Sequence, residues 1–219
     1  MKIVEKKMKC IKDFALSILA GIAISIGCVI FLSIENKVIG AVLFAVGLLT
    51  VLAFGLNLFT GKAPYLCKKG YKYIPFLLNV WCGNLAGTGL TALAIRHTRI
   101  YPQIMERCAK IAEAKANDSL SSLFILGILC GIMMYIAVDT YITQSNTKNF
   151  TSGLLTVFCV AVFILAGFEH SVADMFYFIL ALPVQQWIIP LLVITIGNII
   201  GGNLFCFAVN WSKNDKSDA

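Results

Sequence analysis

The sequence predicts an all-α membrane protein whose six transmembrane helices form two inverted three-helix repeats. The first of three observations is composition, because 59% of the 219 residues are hydrophobic, 13% are charged and the mean hydropathy is +0.85. The second is the length of the apolar runs, and the third is a pair of motifs that recur half a chain apart. We expect one transmembrane domain over residues 1–219.

Apolar runs long enough to cross about 30 Å of hydrocarbon define the spans. The first run follows five lysines, is too long for a signal-peptide core and has no small-residue cleavage pattern after it, so we interpret it as a retained helix. The last run, residues 175–212, is too long for one span, and we expect the polar segment PVQQW to divide it near Pro183. The five earlier runs cover residues 14–33, 38–61, 73–95, 119–138 and 149–168.

Two motif pairs indicate an internal repeat. SILAGIAISI at residues 17–26 matches GILCGIMMYI at 127–136, and WCGNLAGTGL at 81–90 matches TIGNIIGGNL at 195–204. Each unit has three spans, an odd number, so the second unit must lie upside down in the bilayer relative to the first. The predicted parts are repeat one at about 14–98, a linker at about 99–118 and repeat two at about 119–210. Close helix packing is the expected role of Gly83, Gly87, Gly197, Gly201 and Gly202.

The second and fifth spans are predicted to be interrupted. GLNLFTGKAP at residues 55–64 breaks the second span, and AGFEHSVADMFYF at 166–178 breaks the fifth. We expect Gly55 and Gly61 to loosen the backbone and Pro64 to start a new half-helix. Irregular backbone at membrane depth is tolerated only where it is buried in protein or lines a cavity. Two half-helix N-termini near each other would favour an anion.

Charge patterning predicts the orientation and excludes several function classes. Eleven Lys and Arg residues fall on the side of the termini and six on the other, so the positive-inside rule puts both termini in the cytoplasm. The net charge of +7 then reflects topology and contact with anionic lipid, and no basic domain for nucleic acid is present. The eight cysteines never form C-x-x-C, the two histidines are distant and no P-loop occurs, so we expect no metal, no cofactor and no nucleotide-driven pump.

Three stretches carry a resemblance to a known family. LFTG at residues 58–61, GFEHSVADMF at 167–176 and TIGNIIGG at 195–202 resemble the formate/nitrite transporter family, which includes formate, nitrite and hydrosulfide channels. The resemblance covers nearly the whole chain. It implies an aquaporin-like protomer with its own pore, assembled as a homopentamer in the cytoplasmic membrane.

The resemblance also implies roles for individual residues. His170 would be the central pore histidine, with Thr60 as its hydroxyl partner on the facing interrupted loop. The implied cytoplasmic constriction consists of Phe44, Leu58 and Phe59, and the implied external constriction consists of Leu48 and Phe163. The implied vestibule lysines are Lys115 and either Lys6 or Lys7. The implied supporting residues are Glu169, Asp174 and Asn198. The chain departs from the family at Asp174 and Gly131, where the family usually has Asn.

Passage of small monovalent weak-acid anions and their neutral acids is the leading functional hypothesis. A bare carboxylate costs on the order of 20 kcal/mol to move into low dielectric. Protonating a carboxylate of pKa about 3.5 at pH 7 costs roughly 5 kcal/mol, so crossing as the neutral acid is cheaper. We expect His170 to ease protonation by relay or by its field.

Four other hypotheses stay open or are weakened. A proton-coupled carrier for short monocarboxylates such as lactate or acetate would show saturating flux that depends strictly on a proton gradient. A membrane enzyme using His170 lacks a second titratable cluster in the sequence, and an aquaporin is disfavoured because no N-P-A triplet occurs. His170 and Glu169 could also form only a satisfied packing network between helices.

Overall fold

The computed structural model describes residues 2–144 and 150–214, and the described part is helical. Short 3-10 turns at Ala63–Tyr65 and Tyr71–Tyr73 separate some of the helices. The α-helices are α1 (Lys2–Ser33), α2 (Lys37–Ala53), α3 (Phe59–Lys62), α4 (Leu66–Lys69), α5 (Ile74–Ile95), α6 (Tyr101–Ala116), α7 (Leu120–Gln144), α8 (Phe150–Leu165), α9 (Ser171–Ala181) and α10 (Val184–Asn214).

Within the described residues, four helices are long and apolar enough to cross a membrane, which makes the chain a multi-pass membrane protein. They comprise Val4–Ser33, Tyr71–Ile95, Leu120–Thr143 and Val184–Ser212. Large apolar side chains on their outer faces are exposed, among them Leu78 and Leu93 on α5 and Leu204 and Phe207 on α10. Such faces are stable only against lipid or another apolar surface. Lys148 and Lys216, which were counted in predicting the orientation, lie outside the described residues.

The motif-bearing helices pack in two equivalent pairs. α1 packs along α5, α7 packs along α10, and α2 meets α8 between the pairs. A Cβ at Gly87 would lie 2.1 Å from the carbonyl oxygen of Ile18, and one at Gly201 would lie 2.0 Å from that of Ile128. Both distances are far below van der Waals contact, so only glycine allows the helices to approach this closely.

Gly131, one of the two departures from the family pattern, has a steric explanation. A Cβ at this position of α7 would lie 2.4 Å from the carbonyl oxygen of Asn198 on α10. A Cβ at Gly21, the corresponding position of α1, would lie 2.4 Å from the carbonyl oxygen of Asn84 on α5. Any side chain at Gly131 would therefore push α7 away from α10.

Both predicted interruptions are present, although two details of the first were wrong. Gly55 follows α2 with a φ of +63° and Gly167 follows α8 with a φ of +74°, a region that side chains rarely adopt. The new helical segment starts at Phe59 rather than at Pro64, which lies in the 3-10 turn behind it. Gly61 does not loosen the backbone, because it is buried inside α3, where a Cβ would lie 3.3 Å from the side chain of Val138.

The predicted linker contains a helix of its own. α6 turns Ile104, Cys108 and Ala112 inward, and it packs against α9. Arg107 on the same helix donates hydrogen bonds to the carbonyl oxygens that end α1, those of residues 32 and 34. α6 thereby closes one end of the helical bundle and brings Lys115 next to α9.

Candidate functional site

Thr60 and His170 form the centre of the candidate site. Oγ1 of Thr60 lies 2.8 Å from Nε2 of His170, and both residues are buried, with exposures of 1% and 2%. Thr60 lies in the first turn of α3, and His170 caps the start of α9. The first turns of the two half-helices therefore meet at this contact, and the peptide dipoles make such helix starts electropositive.

The hydrogen bonds of His170 determine its tautomer. Nδ1 accepts the backbone N–H of Ala173 at 3.1 Å, so Nδ1 carries no hydrogen. The neutral ring then has its hydrogen on Nε2 and donates it to the Thr60 hydroxyl. The ring also stacks on Phe163, with centroids 5.4 Å apart and 12° between the planes. A second proton on Nδ1 would break the bond from Ala173.

Asn84 on α5 braces the first interruption. Its Oδ1 accepts the N–H of Phe59 at 2.8 Å, and its Nδ2 donates to the carbonyl oxygens of Ser17 at 2.7 Å and Asn57 at 2.9 Å. Asn84 is fully buried. One amide thus satisfies two backbone groups of the interruption, at Phe59 and Asn57, and joins them to α1 through Ser17.

Asn198 on α10 does the same for the second interruption. Its Oδ1 accepts the N–H of Ser171 at 2.9 Å, and its Nδ2 donates to the carbonyl oxygens of Gly127 and Glu169, each at 2.8 Å. Asn84 and Asn198 occupy the same position of the two aligned motifs. The geometry that holds Thr60 therefore has a counterpart in the geometry that holds His170.

A cavity of about 520 Å³, the His170 cavity, opens beside the imidazole. Its aromatic wall includes Phe44, Phe163 and Tyr177. Its charged lining residues are Lys37, Arg107, Lys110, Lys115 and Asp174. Four cations against one carboxyl group give the cavity a positive potential that attracts anions.

Lys115 is the cation of this group that contacts both Asp174 and Glu169. Its side chain is 16% exposed, and Nζ contacts Oδ1 of Asp174 at 3.0 Å and Oε2 of Glu169. Burial is the largest single influence on its pKa and acts to lower it, but the attraction of Asp174 and Glu169 outweighs burial and raises the pKa of Lys115. The ammonium therefore stays charged throughout the neutral pH range.

A second cavity, the Leu58 cavity, lies near α3 and measures about 90 Å³. Leu58 and Gly61, which flank Phe59 and Thr60 in sequence, line it together with Val138 on α7. Lys62 is the one charged residue among its described lining residues. His170 lines the larger cavity, and two sequence neighbours of its partner Thr60 line the smaller one.

The residues that the resemblance assigns to two constrictions are buried, and their neighbours differ from the implied grouping. Phe44 meets Phe163 edge to face with ring centroids 6.2 Å apart, and both line the His170 cavity. Leu48 lies one helical turn beyond Phe44 on α2 and lines neither cavity. Phe59 is buried beside Leu58.

Of the lysines that the resemblance assigns to the vestibules, one lines a cavity and the N-terminal candidates do not. Lys115 lines the His170 cavity, whereas Lys6 and Lys7 are exposed on the first turns of α1 and line neither cavity. Sequence reasoning missed Lys62 and Arg107, which do line cavities, and Asn84. The repeat alignment contained the signal for Asn84, since it pairs this residue with Asn198.

Comparisons with known proteins agree with the resemblance found in the sequence. A family model described as formate/nitrite transporter matches residues 2–212. Formate channel FocA of Escherichia coli K12 is 27% identical, covering 92% of this chain and 86% of the relative. Nitrite transporter NirC of Salmonella typhimurium LT2 is 28% identical, covering 92% and 83%. The resemblance drawn from the three motifs is confirmed.

Solved structures share the fold. An FNT family ion channel superposes with a TM-score of 0.80 at 23% identity, over 93% of this chain and 90% of that one. A pentameric formate channel with formate bound superposes with a TM-score of 0.76 at 24% identity, over 95% and 98%. The arrangement of helices described above is therefore the one found in those channels.

Proposed function

Because the chain belongs to the formate/nitrite transporter family, we propose that it carries out passive or proton-linked transmembrane passage of small monovalent weak-acid anions through a pore centred on His170. The anions are of the formate, nitrite or hydrosulfide class, and the protein is a transporter rather than an enzyme. The observation that carries the proposal is the Thr60–His170 contact of 2.8 Å, made where two half-helices begin, with His170 lining one cavity and the sequence neighbours of Thr60 lining another.

We further propose the architecture that such a pore requires. α1 to α5 form one three-span repeat within residues 14–98, and α7 to α10 form the second within 119–210, inverted relative to the first. The equivalent helix pairs and the equivalent roles of Asn84 and Asn198 support this proposal. Both termini face the cytoplasm, and the protomers assemble as a homopentamer whose contacts cover part of the exposed apolar faces.

The proposed path joins the two cavities across a narrow apolar barrier. Phe44 and Phe163 narrow the path on the side of the His170 cavity, since their rings are in contact and adjoin the imidazole. Leu48, Leu58 and Phe59 narrow it on the side of the Leu58 cavity. This grouping exchanges the implied places of Phe44 and Leu48, and the 6.2 Å contact between Phe44 and Phe163 supports the exchange.

Cations concentrate the anion at both ends of the path. Lys37, Arg107, Lys110 and Lys115 do so in the His170 cavity. Lys62 has this role in the Leu58 cavity, in place of Lys6 or Lys7, because Lys62 lines that cavity and the two N-terminal lysines are exposed. A fixed positive charge beside a low-dielectric barrier raises the local anion concentration and the rate of entry.

The anion crosses the barrier as its neutral acid. Desolvating the bare ion costs on the order of 20 kcal/mol, against roughly 5 kcal/mol for taking up a proton at pH 7. His170 acts by its field and its hydrogen bond rather than by proton relay, because Nδ1 is occupied by the N–H of Ala173. The Nε2–H and the Thr60 hydroxyl offer hydrogen bonds to the oxygen atoms of the passing acid.

A flux panel tests the proposal. Purified protein in liposomes is challenged with formate, nitrite, hydrosulfide, acetate and lactate, and internal acidification is followed by stopped flow. Rapid flux that rises linearly with formate, nitrite or hydrosulfide concentration supports the channel. Saturating flux of acetate or lactate that vanishes without a proton gradient would replace it with a carrier, and no flux above that of empty liposomes for any anion would overturn the proposed function.

A further inference from the structure

Three charged side chains meet beside the His170 cavity, and their charges do not balance. Lys115 contributes one positive charge, whereas Glu169 and Asp174 both contact its ammonium and each has a carboxyl group. Glu169 is 4% exposed and Asp174 is 1% exposed. With both carboxyl groups ionised, the cluster would bury one uncompensated negative charge, which is strongly unfavourable.

The hydrogen bonds of the cluster lack a donor in one place. Oδ1 of Asp174 binds the ammonium, but Oδ2 is buried and has no hydrogen-bond partner among the described residues. Nζ of Lys115 contacts one carboxyl oxygen of each residue, so the carboxyl groups of Asp174 and Glu169 lie beside the same ammonium. Two ionised carboxylates have only acceptor atoms, so a hydrogen bond between them requires one proton.

We propose that Asp174 and Glu169 bind one proton between them, next to Lys115, and that the His170 cavity admits an anion freely only while this proton is bound. The proton makes the cluster neutral, and on Oδ2 of Asp174 it turns a buried charged acceptor without a described partner into a neutral hydroxyl. Loss of the proton adds one negative charge beside the cavity, which weakens the attraction of its four lining cations for the anion. The second half of this proposal rests on the proposed function, and the first half does not.

Among the residues that the structure describes, Lys115 is the one cation in contact with the pair. Cys28 on α1, Cys130 on α7 and Tyr177 on α9 lie near Asp174, and none of them carries a positive charge. His170 begins the same helix and is held neutral by the N–H of Ala173. α5 and α10 also pack against α9, and they have no charged residue within Ile74–Ile95 and Val184–Ser212.

Infrared difference spectroscopy tests the bound proton without any transport measurement. Wild-type protein in liposomes is stepped from neutral to alkaline pH, and the carbonyl-stretch band of a protonated carboxylic acid is followed. We expect the band at neutral pH and its loss at alkaline pH. Asp174→Asn and Glu169→Gln should each abolish the band, because the remaining carboxylate pairs with Lys115. Glu106→Gln, which removes an exposed carboxylate, should leave the band unchanged.

Formate flux in the same liposomes tests the link to the anion. Asp174→Asn keeps the cluster neutral at every pH, so its formate flux should decline less on alkalinisation than wild-type flux does. The two declines should differ by about tenfold, the effect of one charge removed near the path. Glu106→Gln should decline as the wild type does. A missing band in the wild type, or a band that survives in either amide variant, overturns the proton site. Parallel declines in wild type and Asp174→Asn overturn control of anion entry by the proton site. If the wild type shows no flux at all, the proposed function is rejected, and the infrared band still decides whether the proton site exists.

Discussion

Thr60 and His170 lie 110 residues apart in sequence, and Oγ1 of the first is 2.8 Å from Nε2 of the second. Each residue belongs to the start of a short helix that follows a break, and each helix start is bound by a buried Asn. The contact therefore joins the two halves of the chain at one point. Its consequences can be measured with conservative substitutions.

Thr60→Val keeps the shape of the side chain and removes the hydroxyl. The Nε2–H of His170 would then be buried without an acceptor, which costs about 1–3 kcal/mol. We expect a lower unfolding temperature in detergent and reduced formate flux in liposomes. Thr60→Ser retains the hydroxyl and should stay close to wild type in both measurements. Equal behaviour of the Val and Ser variants would show that the hydrogen bond has no role in either property.

Asn84→Leu removes the amide that braces the first interruption. Two backbone groups of the interruption, the N–H of Phe59 and the carbonyl oxygen of Asn57, would lose this partner at once, and each unsatisfied group costs about 1–3 kcal/mol. We expect little or no folded oligomer on size-exclusion chromatography. Asn79→Leu on the same helix is the control, since Asn79 is half-buried and its side-chain hydrogen bonds in the described part of the chain are to Cys10. Normal assembly of Asn84→Leu would contradict the bracing role.

The pairing of helices and the two interruptions were predictable from sequence because they depend on local composition. Glycines at equivalent spacing in the repeated motifs indicate close packing, and at Gly87 and Gly201 the structure has that packing. The start of the first half-helix was not predictable from Pro64. Phe59 begins it because Asn84, distant in sequence, binds its N–H, and no local pattern encodes that bond.

The chemistry of the site was only partly predictable for the same reason. His170 and Thr60 follow from the motifs, but the neighbours of Phe44 depend on how α2 is rotated toward α8, so its contact with Phe163 required coordinates. Lys115 and Glu169 are 54 residues apart in sequence, and only the packing of α6 on α9 brings them together. Lys62 had no special signal in the sequence beyond a charge within an apolar span.

Lys62→Met tests whether this lysine supplies the positive charge of the Leu58 cavity. Methionine keeps most of the apolar stem and removes the ammonium. We expect formate flux at low ionic strength to fall severalfold and to lose part of its salt dependence, because attraction of the anion is screened by salt. Lys72→Met removes an exposed lysine nearby and should change neither quantity. Identical salt profiles for the two variants would remove Lys62 from the path.

Protonation of the permeating anion predicts how flux depends on pH. Formate flux should rise as external pH falls, and its preferred direction should reverse when the proton gradient is inverted at fixed formate concentrations. Lys115 does not produce this dependence. Its raised pKa keeps it charged, and the stability it contributes is present below its unfolded pKa of about 10.4 and is lost only as pH rises through the higher folded value.

Chloride is the control, because it cannot be usefully protonated. It must meet the apolar side chains of the barrier, among them Phe44, Phe163 and Leu58, as a bare ion with its full desolvation cost. We therefore expect chloride to pass poorly at every pH at which formate passes well. Stopped-flow acidification and electrical recording on the same liposomes would measure both anions. Chloride and formate currents of similar size that do not change with pH would mean that ions cross intact, and crossing as the neutral acid would have to be abandoned.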